Sequence, residues 1–165
     1  MERVAIFVDV QNVYYTTRQV FGRHFDYNAF WAQVTAGREV ALANAYAVER
    51  GDARQRQFQN ILRGIGFTVK LKPFIQRRDG SAKGDWDVGI TLDVMEAAPL
   101  VDRVVLVSGD GDFDLLVVRA RERHDVTVDV YGVERLTADT LRRAASHFVP
   151  IEESLLLNGS RDQTT

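Results

Sequence analysis

The sequence has no cysteine, and only three prolines and three histidines, in 165 residues. The missing thiols exclude disulfides, thiol nucleophiles, zinc-finger spacing and iron–sulfur ligation together, and they are compatible with a reducing compartment. No run approaches the ~20 consecutive apolar residues that a membrane span needs. The opening MERVAIFVDVQN breaks its apolar run at Asp9, so it lacks the hydrophobic region and cleavage site of a secretory signal. A cytoplasmic protein without membrane attachment is the expectation. Net charge is also scarce: 21 Lys and Arg against 23 Asp and Glu give −2, which points globally to neither nucleic acid nor membrane. The chemistry must then come from carboxylates, hydroxyls, amides or the histidines. His24, His124 and His147 show no ligand spacing and are assigned no role.

What is present suffices for one ordinary core, with 45% hydrophobic and 27% charged residues; a chain of this size buries roughly 68–70% of its unfolded surface. Short apolar runs rich in β-branched residues alternate with amphipathic ones. RVAIFV (3–8), EVALANAYAV (39–48), FTVKLKPF (67–74), VDRVVLV (101–107) and VTVDVY (126–131) read as strands. AFWAQVTAG (29–37), residues 52–64, 85–98, the segment after Phe113 and LTADTLRRAASHF (136–148) read as helices, the last with Thr137 as its N-cap. The polar and aromatic stretch after Asp9 is left without an element. Gln76–Asp85 reads as a mobile loop, 147–157 as an edge strand or short docked helix, and 158–165 as a flexible tail. The alternation predicts a single α/β domain over 1–157. It is expected to be a three-layer sandwich around a mainly parallel sheet of five or six strands.

In an open parallel sheet, ligands bind beyond the carboxyl ends of the strands, where strand order reverses. Acids mark those ends here. The first strand runs into Asp9-Val10-Gln11-Asn12, the fourth into Ser108-Gly109-Asp110-Gly111-Asp112-Phe113, and a helix opens at Lys83-Gly84-Asp85-Trp86-Asp87. Converging carboxylates raise one another's pKa values, an arrangement usually tolerated when a cation neutralises it. All-oxygen ligation suits Mg2+ or Mn2+, and such a site supports metal-assisted phosphodiester hydrolysis. The plain alternative for each acid is a helix cap or turn former.

Asp9, Asp87, Asp110 and Asp112 are therefore the candidate catalytic and metal-binding residues, with Asp85 read as the helix cap. Asp93 lies six residues after Asp87, about 120° around a helix axis, so it reaches the rim, binds through water or makes a structural bond. Asn12 and Ser108 either contact a ligand or cap the turn. Positive charge gathers between Arg63 and Lys83, where six basic residues face one acid, leaving that segment at +5 and the rest at −7. Lys70, Lys72, Arg77, Arg78 and Lys83 are a candidate nucleic-acid surface, with a solvated charged face as the alternative. Tyr14, Tyr15 and Trp86 either stack bases or belong to the core.

FVDVQN, KGDWDVGITLDV and VSGDGDF, in this order and separation, resemble the NYN-domain proteins, the LabA-like branch of the PIN-like nuclease superfamily, over about residues 2–150. The resemblance implies a PIN-like α/β/α sandwich, an acidic cluster holding Mg2+ or Mn2+, and metal-dependent ribonuclease activity on single-stranded or structured RNA. It makes Asp9 the strand-one acid, Asp87 the central-helix acid, and Asp110 with Asp112 the acids of the serine-glycine-aspartate turn. Asn12, Lys83, Asp93 and Ser108 fall on recurring polar positions of second rank. Trp86 stands where relatives often carry a smaller aliphatic residue, which bears on substrate fit.

The alternative is a catalytically silent regulatory or RNA/protein-binding module. A homodimer could form through Leu155-Leu156-Leu157, or that edge covers the domain's own sheet. No nucleotide cofactor is expected. A haloacid-dehalogenase phosphatase needs a second Asp where Gln11 stands, and a Toprim domain needs a Glu where Asp9 stands. A DNA-directed flap-type nuclease shares the wider superfamily's acids and is harder to exclude, and the absence of a helical arch or long clamp insertion counts against it.

Overall fold

Strand β1 (Glu2–Asp9) sets the layers, because successive side chains of a strand point to opposite faces. Val4, Ile6 and Val8 enter one core with Phe30, Val34 and Leu62, while Ala5 and Phe7 enter the other with Ile90, Leu116 and Leu141. The same alternation carries Asp9, at the strand's end, toward the second side. This computed structural model describes residues 1–73 and 85–158, together with the backbone of 75–76 and 82–83. Arg77, Arg78 and the side chain of Lys83 lie outside the described residues, as do most of the predicted mobile loop and of the tail.

The elements follow as α1 (Val10–Phe21), α2 (Tyr27–Thr35), β2 (Arg38–Glu49), α3 (Ala53–Ile65) and β3 (Thr68–Pro73). Next come β4 (Ile75–Gln76), β5 (Ala82–Lys83), α4 (Asp87–Ala97), β6 (Arg103–Val107) and α5 (Asp114–His124), then β7 (Thr127–Gly132), α6 (Asp139–Ala144) and β8 (His147–Pro150). Six strands form one sheet in the order β3-β2-β1-β6-β7-β8, and every pairing in it is parallel. Helices α1–α3 cover one face and α4–α6 the other. This is the α/β/α sandwich the sequence predicts, with six strands. β4 and β5 form a separate antiparallel pair. Among the described residues no helix is long and apolar enough to cross a membrane.

Strand order reverses between β1 and β6, since the chain builds outward from β1 to β2 and β3, then returns to the other side of β1. The crevice outside the carboxyl ends of β1 and β6 is thus the switch point of the sheet.

Three local expectations need correction. The stretch after Asp9 is helical: Asp9 accepts the Asn12 N–H as N-cap, and Gly22, at φ +63°, ends the helix with its N–H on the Arg18 carbonyl. Val, Tyr and Thr are weak helix formers, and this helix buries only Val13 and Thr17, so its apolar period is faint. Thr137 does not cap α6. It is buried, its hydroxyl donates to the Val133 carbonyl at 2.8 Å, and Ala138 holds the cap position of a helix only six residues long. The 147–157 segment is both a strand and a 3-10 turn (Glu153–Leu155), and Leu155 and Leu156 are buried in the chain's own core, leaving Leu157 exposed.

Candidate metal centre

The switch-point crevice collects the acids. Asp9 ends β1, Ser108–Asp110 follow β6, Gly111–Phe113 form a 3-10 turn before α5, and Asp87 opens α4. Carboxylate oxygens of Asp87, Asp110 and Asp112 all lie within 4.8 Å of one another. Oxygens around an octahedral Mg2+ stand about 3.0 Å apart when adjacent and about 4.2 Å when opposite, so the three carboxylates would draw together to share one such ion. The donors are all hard oxygens, as Mg2+ and Mn2+ prefer.

Asp9 is not in that trio. It stands beside it, half-buried, where it accepts the Ser108 hydroxyl at 3.2 Å and the Asn12 N–H at 3.4 Å. Burial pushes its carboxyl up to about 6 against the relief of those two bonds, with Asp110 and Asp85 adding repulsion. Asp87 is pushed up to about 7, first by desolvation and then by Asp110, Asp85, Asp9 and Asp112 in turn. No hydrogen bond reaches the Asp87 carboxylate from the described residues. Five carboxylates therefore share one field, and a divalent cation is the simplest neutraliser of it.

The turn that presents Asp110 and Asp112 is bonded from several sides. Asn12 Oδ1 accepts the Gly109 N–H at 2.9 Å, Ser108 Oγ accepts the Asp110 N–H at 3.2 Å, and Asp110 Oδ1 accepts the Asp112 N–H at 2.9 Å. Asn12 and Ser108 thus hold the loop. The glycines let it sit close beneath the lead-in to α6: a Cβ at Gly109 would stand 2.8 Å from the Leu136 carbonyl oxygen, and one at Gly111 2.8 Å from the Ala138 Cβ.

The opposite wall is held differently. Trp86, not Asp85, occupies the cap position of α4 and makes no side-chain cap bond. Its indole N–H instead reaches the Ala47 carbonyl at 2.8 Å, and its ring packs on Tyr46. Asp85, one residue earlier, still accepts the Asp87 N–H at 3.4 Å. Gly89 makes room for the indole, since a Cβ there would meet the ring at 2.6 Å.

The two lysines of β3 turn toward this wall. Lys72 lies over the Trp86 ring at 4.6 Å and donates to the Asp85 carbonyl at 3.0 Å. Lys70 pairs with Asp93 at 2.8 Å, and the buried Tyr46 hydroxyl donates to the same carboxylate oxygen at 2.7 Å. Burial and this partner together hold the Tyr46 phenol well above its usual range. Asp93 therefore makes structural bonds away from the acidic trio. The sequence reading did not single out Tyr46, nor the contribution of Asp85 to the acidic field; only the acidic run 85–87 hinted at the latter.

Comparison with known proteins agrees with this architecture. The family model described as the NYN domain matches residues 3–152. A curated relative, "Low amplitude and bright protein LabA" of Synechococcus elongatus, is 29% identical over 161 residues, covering 92% of this chain and 84% of its own length. A crystal structure of a Vibrio parahaemolyticus protein of unknown function is 62% identical, with a TM-score of 0.91 over 94% of this chain and 96% of that one. A ribokinase from Giardia lamblia, 13% identical with a TM-score of 0.50 over 90% of this chain and 57% of its own, shares the fold alone.

Proposed function

The chain belongs to the NYN-domain family, and from that premise we propose that it is a metal-dependent endoribonuclease. The observation that carries the reading is the convergence of Asp87, Asp110 and Asp112 at the switch point, with the half-buried Asp9 close by. The trio would hold Mg2+ or Mn2+. Bound there, the ion would polarise a phosphoryl oxygen and acidify a water for in-line attack.

The protein's own residues supply position. Asn12 and Ser108 fix the loop that carries two ligands, and Asp9 anchors Ser108 while adding negative charge beside the trio. Trp86 holds the start of α4, and the Lys70–Asp93–Tyr46 network its middle, against β2 and β3, and so they steady Asp87. RNA is the proposed substrate on the family relationship. With Lys70 and Lys72 committed to the α4 wall, their charge serves the site from behind more than it offers a free basic face. A cytoplasmic location is proposed on the cysteine-free composition.

The test is incubation of the purified protein with labelled single-stranded RNA in Mn2+, Mg2+ or chelator, alongside Asp110→Asn checked for equal folding. Cleavage that needs metal and is lost in the variant supports both the activity and the site. Persistent RNA binding without turnover in either metal would replace this reading with the silent-module one, and equal cleavage by both proteins would refute the site.

A further inference from the structure

We propose that the exposed face of α1 is a stacking platform for single-stranded RNA leading away from the acidic cluster, with Tyr15 taking a base and Arg18 a phosphate. The proposal rests on the ribonuclease reading above.

Position comes first. Asn12 touches the acidic loop directly through the Gly109 N–H, and Tyr15 follows it at a spacing of three residues. Residues so spaced share a helix face about 4.5 Å apart along the axis. Arg18 continues the same row one turn further. A strand with a phosphate at the acidic trio and running over this face meets Tyr15 and then Arg18.

The side chains are set for such a role. Tyr15 is 53% exposed, and its ring meets that of Tyr14 in a T-shaped pair with centroids 5.5 Å apart at 75°. Tyr14 acts as the buttress. His24 stacks against it at 5.7 Å and 23°, and its hydroxyl accepts Arg18 Nη1 at 2.7 Å, which holds the guanidinium in place. Burial and the neighbouring Arg18 keep the His24 imidazole below its usual pKa, so it packs as a neutral ring near pH 7.

Charge points the same way. Of the arginines near the sheet, Arg23 is paired with Glu153, Arg38 with Glu2, and Arg103 with Glu2 and Asp129. Arg18 is exposed and, among the described residues, pairs with no carboxylate. Helix α1 itself contains neither Asp nor Glu. An open aromatic ring beside an unneutralised guanidinium is the composition that binds single strands, by stacking that tolerates any base and by a phosphate contact.

The experiment measures fluorescence anisotropy of an end-labelled oligouridylate in chelator, with the RNA checked to be intact. Tyr15→Ala is expected to weaken binding about 10-fold, since stacking is worth roughly 1–3 kcal/mol per base, while Tyr15→Phe keeps it. Arg18→Gln should reduce the salt dependence by about one phosphate contact. An abasic oligomer of equal length should bind the unaltered protein no better than oligouridylate binds Tyr15→Ala. In Mn2+, Tyr15→Ala should raise KM with kcat unchanged.

Binding by Tyr15→Ala and Arg18→Gln as tight as that of the unaltered protein, or no binding by the unaltered protein, overturns the platform. Cleavage with Tyr15-independent binding would sink the platform and keep the nuclease; Tyr15-dependent binding without cleavage in any divalent metal would do the reverse.

Discussion

The two walls of the acidic crevice are built on different principles. On the β1–β6 wall an acid also serves as a local backbone cap: Asp9 takes the Asn12 N–H and Asp110 the Asp112 N–H. On the α4 wall Asp87 has no such duty. Its helix is held from outside the site, by an indole on the Ala47 carbonyl and by lysines reaching across from β3. The first wall couples chemistry to folding, while the second keeps them apart. The raised carboxyl of Asp87 is accordingly one without structural employment, since among the described residues no hydrogen bond offsets its desolvation and its neighbours.

Substitution can break that comparison. Asp87→Asn and Asp110→Asn should each lower Mn2+-dependent RNA cleavage by about 100-fold or more, because a lost ligand forfeits several kcal/mol of transition-state stabilisation. In chelator the two positions should diverge. Asp110→Ala should lose about 1 kcal/mol of stability with its cap, and Asp87→Ala none, as read by urea unfolding. Equal losses would erase the distinction between the walls. Gly109→Ala comes next, with an expected destabilisation of about 1–3 kcal/mol from overpacking, because its Cβ would meet the Leu136 carbonyl.

The pH dependence sharpens the same contrast. The Asp87 carboxyl rises from its ordinary 3.8 to about 7 in the folded protein, so between those values the native state binds more protons than the unfolded one. Stability from this group is therefore lost as pH rises through that window. Asp87→Asn removes the loss: in chelator it should be more stable than the unaltered protein at pH 8, by about 1 kcal/mol after allowing for solvent screening. The gain should vanish near pH 4. Thermal unfolding at the two pH values reads the difference, and added Mn2+ should stabilise the unaltered protein more at pH 8 than at pH 5. A pH-independent Asn effect would mean that Asp87 does not feel its neighbours.

Much of the architecture was legible because buried parallel strands read as short continuous apolar runs, and the switch-point rule then directs attention to the residues just beyond them. What stayed hidden depends on contacts distant in sequence. Helix α1 presents Val, Tyr and Thr where a helix pattern is sought, and its one strong signal, Asp9 as a cap, was weighed as chemistry. Lys70 and Lys72 alternate on a strand like any solvated charged face, and only the packing of β3 beside β2 and α4 turns them onto Asp93 and the Asp85 carbonyl. Asp85 looked like the cap of α4, yet the chain places Trp86 there so that the indole can reach β2.

Trp86→Phe carries the smallest expected effect and isolates the external support of the second wall. Phenylalanine keeps a ring over Gly89 and beneath Lys72 but gives up the bond to the Ala47 carbonyl, so the loss of stability should be about 1 kcal/mol. If α4 is held from outside the site, that loss should loosen Asp87 as well. Mn2+ affinity, followed by calorimetry, should then fall several-fold, while Asn12 and the Ser108–Asp112 loop keep their amide chemical shifts. A variant that lost stability without losing Mn2+ affinity would show that the Trp86 anchor and the placement of Asp87 are separate, and the wall would then owe its geometry to Lys72 on the Asp85 carbonyl and to the Lys70–Asp93–Tyr46 network.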